Sequence, residues 1–327
     1  MYKKAAALLM CLLMLLAASG VAETLEPLPM DTMDIGRPPK AENYSSELDY
    51  KDKNYISETA YEDESISVKL YRGRYADTDY VYAHVKISHP SQLRTAPAAI
   101  MYNGPERTTF HQMSIGYAQY IARDTNAVVA VNGDYHSNKD ACDIVYRQSK
   151  QYRNNGQGIR DILIIDKNGD FSYMNNVWKK EYNAYLEEHK DEMYQVLCFG
   201  PALVENGVSM ITEDYTNGYI GAQKAAQRCA IAQLGPLEYA LITSYGPQSK
   251  NNTGMTIYEF AQLCEQIGKE LSEDGFKLAF NLDGGNSAAM IFRKRNKNNN
   301  LEYVKINSMD VSPRKVSDII YFATLVK

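Results

Sequence analysis

Three kinds of hydrophobic spacing follow one another along the chain. Alternation comes first: Ile66, Val68 and Leu70 are separated by polar residues, and after a polar turn around residues 74–79 the alternation resumes through Val81, Ala83, Val85 and Ile87. A period of two predicts a hairpin with one wet face. Unbroken apolar runs come second, at 126–131, 161–166, 194–199 and 277–282, each closed by Gly, Asn, Asp or Pro. Such runs predict strands covered on both faces. The third spacing is helical. Over 256–271, Ile257, Phe260, Ala261, Cys264, Ile267 and Leu271 share one face, and Thr256 with Glu259 makes a capping box. Shorter helices are expected at 115–122 and 179–192, and a last strand at 319–326. Asn168-Gly169, Asn206-Gly207 and Gly235-Pro236 supply turns between strands. Many strands with few, scattered helices predict an α+β, single mixed-sheet domain over 65–327.

The first 64 residues break these patterns. Lys3 and Lys4 precede an uncharged apolar stretch at 5–18, and Ser19-Gly20-Val21-Ala22 precedes Glu23. That arrangement predicts a signal peptide over 1–22, cleaved after Ala22. The apolar stretch is short for a membrane span, so the expectation is a secreted, extracellular or cell-envelope protein with no stable membrane span after cleavage. Residues 23–64, rich in Asp, Glu, Lys, Pro and Ser, read as a flexible linker. With 327 residues, 45% hydrophobic content and a net charge of -5, the chain can bury a full core and has no basic excess. No nucleic-acid partner is therefore expected. Twenty-six tyrosines against one tryptophan suit either carbohydrate-contacting surfaces or half-buried strand positions.

Chemistry concentrates where apolar runs end. The run closing at Leu282 delivers Asp283-Gly284-Gly285-Asn286-Ser287, after which a second run starts at Ala288. Paired glycines allow positive φ and a close approach to the backbone. Such a turn either holds a ligand against Asp283 or is a plain hairpin whose carboxylate satisfies its own amides. The run closing at Val131 delivers Asn132-Gly133-Asp134-Tyr135-His136, followed by a loop of nearly thirty residues, a length more usual where a site is served. Arg228 heads an apolar strand and needs a partner. The five histidines show no zinc spacing. Mg2+ or Ca2+ between Asp134 and Asp283 is a candidate cofactor, the alternative being a metal-free pair. Cys142, Cys198, Cys229 and Cys264 remain after signal removal and read as free thiols.

Four segments, Asn132-Gly133-Asp134-Tyr135, Phe199-Gly200-Pro201-Ala202-Leu203-Val204, Arg228-Cys229-Ala230-Ile231 and Asn281-Leu282-Asp283-Gly284-Gly285-Asn286-Ser287, stand in an order that resembles the phosphodiester glycosidase family. Pro313-Arg314-Lys315-Val316-Ser317 is similar to that family's closing segment, so the resemblance spans 127–326. Bacterial members are often labelled exopolysaccharide-biosynthesis proteins. The resemblance implies hydrolysis of an α-glycosyl-1-phosphodiester, such as an N-acetylglucosamine-1-phosphodiester, at the bond between sugar C1 and oxygen. It implies Asp283, Asp134 and Arg228 as catalytic groups, one carboxylate acting as base or nucleophile and the arginine gripping phosphate. It further implies Asn132, Gly133, Gly200, Gly284, Gly285, Asn286, Ser287 and Arg314 as substrate-binding positions. The partner would be a glycan or sugar phosphodiester of the envelope or of an exopolysaccharide. A non-catalytic glycan-binding or assembly module on the same fold is the alternative. The chain departs from the family at Asn286, where glycine is frequent, and at Gln227 and Cys229, which flank Arg228 in place of proline and threonine.

Overall fold

The computed structural model describes residues 25–33, 35–46, 58–102, 114–134, 144–296 and 298–327. The strand pairings among them are antiparallel, and the larger sheets are three. The largest has nine strands, with Thr78–Ile87, Glu238–Ser244, Cys229–Gly235 and Leu278–Leu282 side by side at its centre. A five-stranded sheet runs in the order Leu301–Lys305, Met290–Arg295, Val129–Asn132, Asp318–Phe322, Leu93–Pro97. A second five-stranded sheet, built around Asp161–Asp166 and Met193–Phe199, stands beside them.

The apolar runs are continuous because both faces of these sheets are covered. Ile231, Leu241, Phe280 and Leu282 of the nine-stranded sheet share one core with Val129, Val131, Met290, Ile320 and Phe322 of the first five-stranded sheet, and Leu163 and Leu197 of the second close the side. Each such buried side chain contributes ~1.5–3 kcal/mol relative to exposure. The opposite face of the nine-stranded sheet, including Ala230, Ala232, Ile242 and Ala279, is covered by a helix at Ile257–Leu271. Thr256 caps that helix through Glu259, as its sequence predicts. A helix at Ala118–Asp124 covers the outer face of the first five-stranded sheet, and one at Lys179–His189 covers the second. The α+β class is therefore observed.

Several local expectations change. The long loop after Asp134 contains a hairpin, Ile144–Arg147 with Lys150–Asn154, whose turn is made by Gln148 and Ser149 at positive φ rather than by glycine. The helix expected at 115–122 begins only at Ala118, after a two-residue strand, and the last strand ends at Phe322. The expected flexible linker is partly an ordered strap. Leu28, Met33 and Tyr44 are buried, Tyr44–Ser45 pairs with Ala60–Glu62, and Arg94 donates to the carbonyls of Pro29 and Thr32 at 2.8 and 3.0 Å. The strap lies near Thr125 and Thr324, at the ends of the strands remote from Asn132 and Asp318. The expected signal peptide, Tyr135, His136 and Cys142 lie outside the described residues.

The turn after Leu282 is not a hairpin. The strand before it belongs to the nine-stranded sheet and the strand after it to the first five-stranded sheet, so Asp283 to Ala289 steps across the core from one layer to the other. Register then gathers the informative strand ends at one pole: Asn132 lies opposite Ile319, Val131 opposite Met290, Cys229 opposite Leu282 and Asp161 opposite Phe199.

Candidate active site

The pole is laced together by two asparagines. Asn132 Nδ2 donates to the carbonyl of Asp283 at 2.8 Å and its Oδ1 accepts from the amide of Ala289 at 3.0 Å, which spans both ends of the crossing turn. Asn281 Nδ2 donates to the carbonyl of Gly200 at 2.7 Å, and the Gly200 amide donates back to the carbonyl of Asn281 at 3.2 Å. Both side chains are buried. Asn132, expected to bind substrate, is thus engaged in holding the turn. Gly200 is engaged likewise, at the cis Gly200-Pro201 corner; its φ of 80° and the Cβ of Asp161, which an added Cβ would meet at 2.6 Å, leave room for glycine alone.

The crossing turn presents backbone outward. Gly284 and Gly285 pack their main chain on Gln227, whose carbonyl accepts from the Gly285 amide at 2.8 Å. A Cβ at Gly284 would come 2.6 Å from that carbonyl, whereas one at Gly285 would meet nothing within 4 Å. Gly285 therefore faces open space, and its φ of 56° is the conformational reason for glycine there. Ser287 is buried; exposed Arg314 donates to Ser287 Oγ at 3.4 Å and, through its amide, to the carbonyl of Asn286 at 3.3 Å. Behind the turn, both polar atoms of the fully buried Gln227 amide, and Asn286 Oδ1, find no hydrogen-bond partner among the described residues. Leaving such groups unmet costs ~1–3 kcal/mol each. Asp283 itself is 8% exposed, and its charge adds to burial in pushing the neighbouring Cys229 thiol up.

Asp134 is paired with Arg147. Its Oδ2 accepts from Arg147 Nη2 at 2.8 Å and from the Cys198 amide at 2.9 Å, and the same Nη2 donates to Asp318 Oδ2 at 3.0 Å. All three side chains are buried. Arg147 Nη1 also donates to the carbonyls of Tyr146 and Val196. Burial, then the charge of Asp134, pushes the Asp318 carboxyl up to about 7, against the pull of Arg147. Gly133 completes the packing: a Cβ there would lie 2.0 Å from Asp318 Oδ1, so Gly133 is where it is because Asp318 is. A divalent cation between Asp134 and Asp283 does not fit this donor set, because the guanidinium of Arg147 already supplies the positive charge that Asp134 faces. No cluster of three metal-ligating side chains occurs among the described residues.

Arg228 corrects a second expectation. Its guanidinium donates to the carbonyls of Met255 (2.9 Å), Ile220 (3.2 Å), Gly221 (3.0 Å) and Lys224 (2.6 Å). It is 3% exposed, and burial lowers its pKa to about 10. The partner that the sequence demanded is a ring of backbone carbonyls, and the residue clamps the 220–224 loop instead of facing outward to a phosphate. Cys229 and Cys264 are buried free thiols, as expected, and Cys198 is buried too.

Sequence reasoning missed Arg147, Asp318, Gln227 and Asn281 as members of this pole. Asp318 directly follows the Pro313 to Ser317 segment and could have been included with it. Arg147 carries no local signal, because its hairpin turns on Gln148 and Ser149 and no glycine marks it.

The sequence profile of the phosphodiester glycosidase family matches residues 125–323. Among solved structures, the zebrafish N-acetylglucosamine-1-phosphodiester alpha-N-acetylglucosaminidase catalytic domain, auto-inhibited by its pro-peptide, is similar with a TM-score of 0.58 and 14% identity, over 92% of this chain and 99% of that one. A hypothetical protein from Synechocystis is similar with a TM-score of 0.44 and 15% identity, over 79% of this chain and 62% of the other. No curated protein matches the chain.

Proposed function

The chain belongs to the phosphodiester glycosidase family, and from that premise we propose that it is an exported enzyme that hydrolyses an α-glycosyl-1-phosphodiester, releasing a free sugar and a phosphomonoester. The substrate would be an N-acetylglucosamine-1-phosphodiester or a close analogue in envelope or exopolysaccharide glycans. The observation that carries this reading is the crossing turn, in which Asp283 stands beside the outward-facing Gly285 and the unmet amide of Gln227. A phosphomonoester leaves readily, so the protein's task is to bring a carboxylate to sugar C1 and to stabilise negative charge on the departing oxygens. Asp283 is the carboxylate we assign to C1. Arg314, exposed at the turn, and the Gly285 to Asn286 backbone are the groups assigned to the phosphate. Asp134, neutralised by Arg147, acts as a positioning residue that keeps the 132–134 segment in register with the turn.

The test is incubation of the mature protein with a panel of α-linked sugar-1-phosphodiesters, N-acetylglucosamine-1-phosphate esters included, with detection of released sugar. Release by the wild type that disappears in Asp283→Asn, with binding of the diester retained, supports the enzyme. Binding without release by the wild type favours the non-catalytic glycan-binding module.

A further inference from the structure

The wet face of the Ala118–Asp124 helix carries side chains that the proposed reaction does not use. Ala118, Ile121 and Ala122 turn inward against the first five-stranded sheet, which leaves Tyr117, just before the helix, Tyr120 and Arg123, three residues apart, in one line on the other side. The Tyr117 and Tyr120 rings meet edge to face with centroids 6.0 Å apart, and the guanidinium carbon of Arg123 lies 5.3 Å from the Tyr120 centroid. Arg123 is steadied by Asp124, whose Oδ1 accepts from its Nε at 2.7 Å. At the other end Lys315 pairs with Tyr117 across a two-residue ladder and sets its ammonium 5.6 Å from the centre of that ring. Lys315 follows Arg314, whose amide donates to the Asn286 carbonyl and whose Nη1 donates to Ser287 Oγ. The row therefore starts at the crossing turn and runs outward through Arg314, Lys315, Tyr117, Tyr120 and Arg123. The three cations are exposed, and Tyr120 keeps 41% of its surface exposed.

We propose that this row is a platform for an anionic, phosphate-bearing polysaccharide, held beside the crossing turn. Arg314, Lys315 and Arg123 outnumber Asp124, which gives the row a positive charge on a chain whose net charge is -5, so charge selects a polyanion. The rings between the cations select sugars, because the apolar C–H face of a pyranose can lie on an exposed ring while its hydroxyls stay in water. The order along the row, cation, ring, ring, cation, matches a linear chain in which sugar and phosphate alternate, whereas a lipid surface calls for no such order. A cation already lies over each ring, so these side chains are held in place before the ligand arrives and binding has little left to order. That the platform feeds the crossing turn rests on the glycosidase reading; the binding of the polymer does not.

Two measurements on the full mature chain test this. The first follows the fluorescence anisotropy of end-labelled dextran phosphate, which carries no C1 phosphodiester and so needs no turnover, beside unmodified dextran of the same length. The wild type is expected to bind the phosphate-bearing polymer about tenfold more tightly than dextran, and Tyr120→Ala combined with Lys315→Ala to weaken that binding about tenfold. The unfolding temperature of the double variant should match that of the wild type, because both side chains are exposed. Added salt should weaken the wild-type binding, since exposed charges are screened beyond about 10 Å at 0.1 M. The second measurement compares kcat/KM for a polymer of N-acetylglucosamine 1-phosphate with that for the methyl diester of the same sugar phosphate. The double variant should lose about tenfold on the polymer, through KM, and nothing on the methyl diester. Dextran phosphate bound equally by the wild type and the double variant overturns the platform. A double variant that loses only the binding of phosphatidylglycerol vesicles also overturns it, by making the row a lipid contact. Dextran phosphate binding that the double variant loses, with neither the polymer nor the methyl diester hydrolysed by the wild type, upholds the platform and removes the reaction.

Discussion

Two buried arginines stand at the same pole, and the difference between them explains how the site is built. Arg147 faces two carboxylates, Asp134 and Asp318, so its charge is answered by charge. Arg228 faces the carbonyls of four residues, so its charge is answered chiefly by dipoles and only at longer range by Glu259, and burial lowers its pKa to about 10. The first arrangement locks strand ends: Asp134 closes the 129–132 strand and Asp318 opens the 318–322 strand beside it. The second locks a loop, which has no strand pairing of its own to fix it. One residue type performs two jobs, and only the partners distinguish them.

If the crossing turn is where chemistry happens and both arginines only position it, the largest effect must fall on neither of them. Asp283→Asn is expected to lower sugar release by ~100-fold or more, the scale of losing a positioned acid–base group. Its thermal unfolding temperature should stay close to that of the wild type. Next in size, Arg147→Met leaves two buried carboxylates facing each other, and urea unfolding should report a loss of ~3–5 kcal/mol. Adding Asp318→Asn to that variant should restore part of the loss, because one of the opposed charges is then gone. Arg228→Lys replaces a fork by a point charge that cannot serve four carbonyls, with an expected cost of ~1–3 kcal/mol and earlier proteolytic cleavage within 217–226. If Arg228→Lys instead abolished turnover with the loop still protected, the contrast between the two arginines would collapse.

The smallest effect is a slope. The Asp318 carboxyl, facing Asp134, Arg147 and the Ser317 hydroxyl, has a folded pKa of about 7, above the ~3.9 of an unfolded aspartate. The folded chain thus keeps a proton that the unfolded chain has released. Stability from this group is full below the unfolded value and is lost as pH rises through the folded one. Asp318→Asn should flatten the pH dependence of unfolding free energy between about pH 4 and 7, and a slope identical to that of the wild type would contradict the assignment.

Much of this was legible in the chain because apolar runs and caps act locally. The capped helix at Ile257–Leu271 and the 229–235 and 238–244 hairpin follow from spacing alone. Asp283 was singled out by its two glycines. What spacing could not give was partnership across the fold. Both Asp134 and Asp283 end apolar runs, yet Asp134 pairs with Arg147, from a hairpin turned by non-glycine residues, which it shares with Asp318, near the far end of the sequence. The crossing of the 283–289 turn between sheets was equally hidden, since a strand, a tight turn and a strand read the same whether or not the strands pair. The strap at 25–46 was read as linker because its few anchors, Leu28, Met33 and Tyr44, follow no period.

The most direct measurement concerns which bond breaks. Hydrolysis of an α-N-acetylglucosaminyl phosphodiester in water enriched in heavy oxygen, with mass analysis of the released phosphomonoester, separates a glycosidase from a phosphodiesterase. Attack at sugar C1 sends the water oxygen to the sugar, and the account predicts a phosphomonoester without label. Label in the phosphate would mean attack at phosphorus, and would contradict the role given to Asp283 and its turn.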